Sequence, residues 1–335
     1  MSGTAFRCTL VILGSLLGFA ILEIGVRALG LAPEIAPIVL DQPYASFESS
    51  PNPLLKYVPK PGSPGISEYG IRDAAYPFER DDSLFRVVVV GDSIAFGFCN
   101  NQESIETDQT FAKLLERRLE ADPLPGYSGA EVINLSVSGY DTIQEVEFFR
   151  TKGVAFDPDL VLVAYCLNDS GDSSLELGLL RRTEEWSAFE TLTSHALRGS
   201  FEWSHLARTL WYQWSRATAE EASQATEELP RRATGFDNLH ALARDNDFET
   251  LVAIFPNLEE ETPYPESDEH RAVTLDARSR EFSVIDLLPN FQAASRGNLL
   301  QIRGRCRDMH PDEAGHRIAA QRMEQFIREN YARSQ

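Results

Sequence analysis

The chain has 335 residues, 43% of them hydrophobic, enough to bury a sizeable core in one large or two small domains. Lys and Arg number 31 against 51 Asp and Glu, giving a net charge of −20, and such a surface repels phosphate backbones and anionic headgroups. Nucleic acid is therefore not an expected partner. Cys8, Cys99, Cys166 and Cys306 form no CxxC pair and no His/Cys cluster at zinc spacing, so neither a structural metal nor a dense disulfide framework is expected.

The first feature in chain order is an uncharged run from Cys8 to Leu22 that follows Arg7 and continues past Glu23 and Arg27 to Leu31. The uncharged run alone reaches only ~22 Å at a rise of ~1.5 Å per residue, so crossing a ~30 Å hydrocarbon core requires the segment to extend to Leu31. Glu23 and Arg27 then fall at the far interface, spaced to pair on one helix face or to snorkel, and Arg7 marks the cytoplasmic end. Residues 1–31 read as an uncleaved signal anchor. Gly18 and Ala20 offer only a poor small-x-small site for the rival reading, a cleaved signal peptide; a buried helix of a cytosolic protein is the third.

Residues 32–84 read as a Pro-rich tether and lead-in, with Pro33, Pro37, Pro43, Pro51, Pro53, Pro59, Pro61 and Pro64 favouring an extended spacer over helices. The regular pattern starts at Phe85. FRVVVV is a continuous β-branched run, the kind buried on both faces of a parallel sheet. A helix over Thr110–Asp122 follows, with Phe111, Leu114, Leu115 and Leu119 at helical spacing, then a strand at Glu131–Leu135 and a helix from Thr142 to about Lys152. Further strands are expected at Asp159–Tyr165, Thr250–Phe255 and Phe282–Leu288, with helices near Phe236–Arg244 and from Ala314 to about Tyr331. This alternation predicts an α/β domain over 85–335, built on a doubly wound parallel sheet of flavodoxin-like type. Residues 171–232 interrupt the rhythm and carry Trp186, Trp203, Trp211 and Trp214, so they read as a helical insertion after the third strand. Such aromatics more often pack an inserted element than line a substrate site.

Ligands of open α/β sheets collect outside the carboxyl ends of the strands. The first strand ends in Gly91-Asp92-Ser93, the second leads to Ser138-Gly139, the third to Asn168-Asp169, and the last, after a loop, to Asp308-Met309-His310. A serine, a glycine amide, an amide side chain and a histidine on one edge are the inventory acyl transfer requires. Ser93 is the candidate nucleophile and His310 its base. The Ser93 and Gly139 N–H groups and the Asn168 side chain are the candidate oxyanion donors, and Asp92 and Asp169 play supporting parts. His316 is the rival base, but its place at the start of the closing helix favours a structural role. Cys99, Cys166 and Cys306 lie near these blocks. A Cys99–Cys306 disulfide would form in an oxidising compartment if the two Cα atoms fall within ~7 Å.

GDSIAFG (91–97), NLSVSGYDT (134–142), LND (167–169) and DMHPDEAGH (308–316) resemble, in order, the four blocks of the SGNH/GDSL hydrolases, although Cys166 stands where many members have glycine. PNPLLKYVPKPG (51–62) and SEYGIRD (67–73) are similar to the lead-in of bacterial membrane-anchored members. The resemblance implies a serine esterase with no metal or organic cofactor. It also implies an inner-membrane anchor and a periplasmic or extracellular catalytic domain. The commonest family pattern has aspartate three residues before the histidine, but that position is Arg307, which cannot accept a hydrogen bond from imidazole. Asp308, two before His310, is the nearest carboxylate and resembles a shorter Asp-x-His arrangement; a Ser-His dyad is the alternative. The expected substrates are O-acyl groups of glycans or lipid-like esters. The competing functions are an O-acyltransferase acting on cell-envelope polysaccharide and a non-catalytic glycan-binding module. Nothing in the sequence sets an oligomeric state.

Overall fold

A computed structural model describes residues 3–31, 46–52, 54–55, 57–99, 104–167, 203–207, 209–210, 231–258, 263–306 and 309–331. The chain divides into two compact units, Leu40–Leu177 with Leu229–Gln335 and Met1–Val39 with Gly178–Glu228.

The larger unit holds the sheet. Strands β3 (Leu84–Gly91), β4 (Gly129–Asn134), β5 (Leu160–Cys166), β6 (Glu249–Phe255) and β7 (Ser283–Asp286) are ordered β4-β3-β5-β6-β7 and all pair in parallel. This is the flavodoxin-like order expected from the sequence. Val87, Val88, Val89 and Val90 are buried on both faces of β3, as a continuous β-branched run demands. The helices α3 (Phe111–Ala121) and α9 (Glu313–Asn330) pack together, as do α4 (Thr142–Phe148) and α5 (Arg231–Asn246). Phe111, Leu115, Leu119, Ala320, Met323 and Ile327 join Val87, Leu162 and Leu251 in the main core. At ~25 cal/mol per Å², each such side chain contributes roughly 1.5–3 kcal/mol of burial.

The sequence reading also lacks α6 (Ser267–Arg278), α7 (Leu288–Ser295) and the four-residue α8 (Leu300–Arg303). The strand expected through Leu288 stops at Asp286 because the Asp286 carboxylate accepts the Leu288 N–H at 2.9 Å and starts α7. Likewise the helix expected to about Lys152 gives way after Phe148 to a π-helical turn, Phe149–Gly153, and a 3₁₀ turn, Val154–Phe156.

The tether reading needs correction from Ser46 onward. Strands β1 (Phe47–Ser49) and β2 (Tyr57–Pro59) form an antiparallel hairpin, and Leu55, Tyr57, Ile66 and Ile71 are buried. Proline blocks helices here, but the apolar side chains between the prolines find a core. Residues 32–45 lie outside the described residues.

The smaller unit contains α1 (Gly3–Ala28), whose stretch Thr9–Ala28 is long and apolar enough to cross a membrane, with a mean hydropathy of 2.2. Of the insertion expected at 171–232, Trp186, Trp211 and Trp214 fall outside the described residues; Trp203 is described and exposed.

Candidate active site

Strand β3 positions Ser93, the candidate nucleophile. It ends at Gly91, where an added Cβ would lie 2.9 Å from the Ala95 Cβ and 3.0 Å from the Ala164 Cβ, so glycine is needed for the sharp strand-to-helix turn. Asp92 caps the short helix α2 (Ser93–Phe96), its Oδ1 accepting the Ile94 N–H at 3.0 Å. Ser93 Oγ then stands 2.8 Å from His310 Nε2 and 3.0 Å from Asp92 Oδ2, and all three residues are buried. The single hydroxyl proton can face either acceptor; an imidazole, the side chain suited to general-base work near neutrality, makes His310 the candidate base.

His310 is held from both sides in sequence. On the C-terminal side Asp312 caps α9 by accepting the Ala314 and Gly315 N–H groups at 2.8 and 3.2 Å. On the N-terminal side Cys306 is bonded to Cys99, with a Cα separation of 4.4 Å. Phe98, next to Cys99, packs on the imidazole with ring centroids 4.8 Å apart. The Cys166 sulfur, at the end of β5, lies 3.7 Å from the Met309 sulfur. The disulfide thus links the segment after Ser93 to the segment before His310, across a sequence separation of 207. Closing a loop of that length is worth on the order of 5 kcal/mol in the chain-entropy account. Cys99→Ser, or reduction of the purified enzyme, is expected to lower Tm and kcat together; a reduced enzyme with both unchanged would leave the bridge neither role.

The candidate oxyanion loop follows β4. Val137 N–H donates to Gly91 C=O at 3.0 Å, which sets the loop beside the nucleophile turn, and Gly139 occupies φ +79°, a conformation that favours glycine. The lead-in hairpin braces this loop. Tyr57 Oη donates to Ser138 C=O at 2.7 Å, and Tyr140 Oη donates to Tyr57 C=O. Arg72 donates to Phe96 C=O at 3.2 Å and Ile105 C=O at 3.1 Å, holding the end of α2, while Asp73 accepts the Asn134 N–H at 2.9 Å. Sequence reasoning missed these braces, although Arg72 and Asp73 close the upstream phrase 67–73. Asn168, Asp169 and Asp308 lie outside the described residues.

Two further groups are informative. His316 is fully buried and its Nδ1 accepts the Phe111 N–H at 3.0 Å, at the start of α3. Burial pushes its pKa down to about 4, so the ring is neutral and structural, the role its position in the closing helix favoured. Glu145, which sequence reasoning passed over, is buried on α4 with neither carboxyl oxygen hydrogen-bonded among the described residues. Burial, with the nearby Asp92 and Asp141 carboxylates adding, raises its pKa well above the usual range. Asp141 itself is paired with Arg231 at 2.5 Å.

A serine and a histidine in hydrogen-bond contact at the carboxyl edge of a parallel sheet place the protein among the serine hydrolases. Residues 89–318 match the GDSL-like Lipase/Acylhydrolase family, and the chain belongs to that family; it is a serine esterase. No curated protein matches the chain. Among solved structures it is similar to a lipase/acylhydrolase from Enterococcus faecalis, with 15% identity over 75% of this chain and 100% of that one, at a TM-score of 0.45. It is also similar to an acetylxylan esterase from Geobacillus stearothermophilus, with 15% identity over 75% of this chain and 97% of that one, at a TM-score of 0.47.

Proposed function

We propose that Ser93 hydrolyses carboxylic esters through an acyl-enzyme, with His310 as base and then acid. The observation that carries this reading is the 2.8 Å contact between Ser93 Oγ and His310 Nε2. As Oγ attacks the ester carbonyl, its proton passes to Nε2, and the carbonyl oxygen takes up negative charge. The Ser93 and Gly139 N–H groups, with the Asn168 side chain, are the donors we assign to that oxyanion; each such donor is worth about 3–4 kcal/mol in the transition state. Collapse expels the alkoxide, which takes the proton from His310. Water then attacks the acyl-enzyme, His310 accepting its proton and returning one to Ser93 as the acid is released. We assign Asp308 to orienting the imidazole.

The substrates we infer are O-acyl groups of glycans or lipid-like esters. Helix α1 is read as an inner-membrane anchor, with the catalytic unit on the periplasmic or extracellular side. The apolar stretch Thr9–Ala28 supports the anchor, and the Cys99–Cys306 disulfide supports an oxidising compartment. Product analysis on acetylated oligosaccharides, with and without an unacylated glycan acceptor, tests the reaction. Free acetate in both cases is the expected result. Acyl transfer to the acceptor without free acid would replace hydrolysis by transferase activity, and turnover of neither glycan nor lipid-like esters would overturn the substrate reading.

A further inference from the structure

Helix α1 is apolar nearly throughout, with Val11, Leu17 and Ile24 more than three-fifths exposed, yet Glu23 within it is only 5% exposed. Its carboxylate is fully engaged. Oε1 accepts Arg27 Nε at 2.6 Å and the His205 N–H at 2.9 Å, while Oε2 accepts Ser204 Oγ and the Leu206 N–H, both at 2.9 Å. These donors open a helical turn whose own first cap is Ser204 Oγ, which accepts the Ala207 N–H at 3.1 Å. Glu23 therefore caps a segment some 180 residues away in sequence. Arg27 completes the clasp by donating to Trp203 C=O, and its guanidinium lies 5.4 Å from the centre of the Trp203 ring.

The polar clasp is covered, but the side chains around it face outward. Trp203 is 65% and Leu210 61% exposed, and Trp203 lies against Arg27, one residue before the end of the candidate span at Ala28. A 20-residue span measures about 30 Å at ~1.5 Å per residue, which matches a hydrocarbon core and puts Glu23 roughly one and a half turns inside the far boundary. An unpaired carboxylate at that depth is costly, so four donors there are an explanation for a charge within an apolar helix. Tryptophan and arginine at the end of a span are the residues that seat at the headgroup level.

We propose that the segment Trp203–Leu210 is an interfacial membrane element, clasped to the anchor by Glu23 and presenting Trp203 and Leu210 to the lipid bilayer. This rests on the reading of α1 as a membrane anchor. The part of the insertion that follows the anchor in space is thereby held at the lipid surface by a hydrogen-bonded cap, independently of the catalytic chemistry.

The test uses the full-length protein in phosphatidylethanolamine/phosphatidylglycerol vesicles carrying a nitroxide near the headgroup end of the acyl chain. Flotation and tryptophan fluorescence are measured for the wild type, Trp203→Phe and Glu23→Ala, with ester turnover as the check that the catalytic unit is intact. Wild-type emission is expected to be quenched by the labelled lipid, Trp203→Phe to lose a large part of that quenching, and Glu23→Ala to lose the same part while still floating. A floating wild type whose quenching is unchanged by Trp203→Phe would overturn the interfacial element alone, as would a Glu23→Ala protein quenched like the wild type. A wild type that does not float would overturn the anchor and this inference with it.

Discussion

Ser93→Ala is expected to lower kcat by about 10⁶, the scale seen when a serine nucleophile is removed from a catalytic set that works as a unit. The fold should survive. Among the described residues the Ser93 hydroxyl bonds to Asp92 Oδ2 and His310 Nε2, both in the candidate site, and Asp92 keeps its cap on Ile94 without it. Steady-state kinetics on a short-chain acyl ester, with a thermal melt as control, checks both halves. A folded Ser93→Ala protein with robust turnover would remove Ser93 from the mechanism and send the search to another nucleophile.

Asp308→Asn is the second large effect, a fall in kcat of up to about 10⁴, as for an acid whose loss leaves geometry intact but favours the wrong imidazole tautomer. Nε2 of His310 is engaged with Ser93, so Nδ1 is the position at which an orienting carboxylate acts. An extended segment projects residues two apart to the same side, and the assignment of Asp308 rests on that rule. Arg307, at the commoner position for the acid, has no acceptor to offer. A folded Asp308→Asn enzyme with near wild-type kcat would mean that Ser93 and His310 work as a dyad.

The sheet was legible because its signal is local. Val87–Val90 and Leu160–Ala164 are unbroken apolar runs, and a buried parallel strand needs nothing else to announce itself. Ser93 and His310, the candidate nucleophile and base, were legible for a related reason: Ser93 lies just past the end of β3 and His310 two residues before the Asp312 cap of α9, each in a recognisable string. The lead-in was misread from Ser46 on because its structure is set by distant partners: Tyr57 is ordered by Ser138 and Tyr140, and Arg72 by Phe96 and Ile105. Proline content argues against an α-helix, and none occurs among the described residues of 46–83, but it says nothing of what an extended chain packs against. The Cys99–Cys306 pairing was visible only as a geometric condition, which a Cα separation of 4.4 Å meets. Glu145 carries no sequence signal at all, since a glutamate in an amphipathic helix ordinarily faces water; its burial follows from the packing of α4 against α5.

Activation of Ser93 by His310 can be read from covalent labelling. The full-length enzyme is treated with a fluorophosphonate probe, digested, and the adduct mapped by mass spectrometry in the wild type, Ser93→Ala and His310→Ala. The adduct is predicted on the peptide containing Ser93 in the wild type, absent in Ser93→Ala, and formed far more slowly in His310→Ala. An adduct on a different serine, or a His310→Ala protein labelled at the wild-type rate, would contradict it.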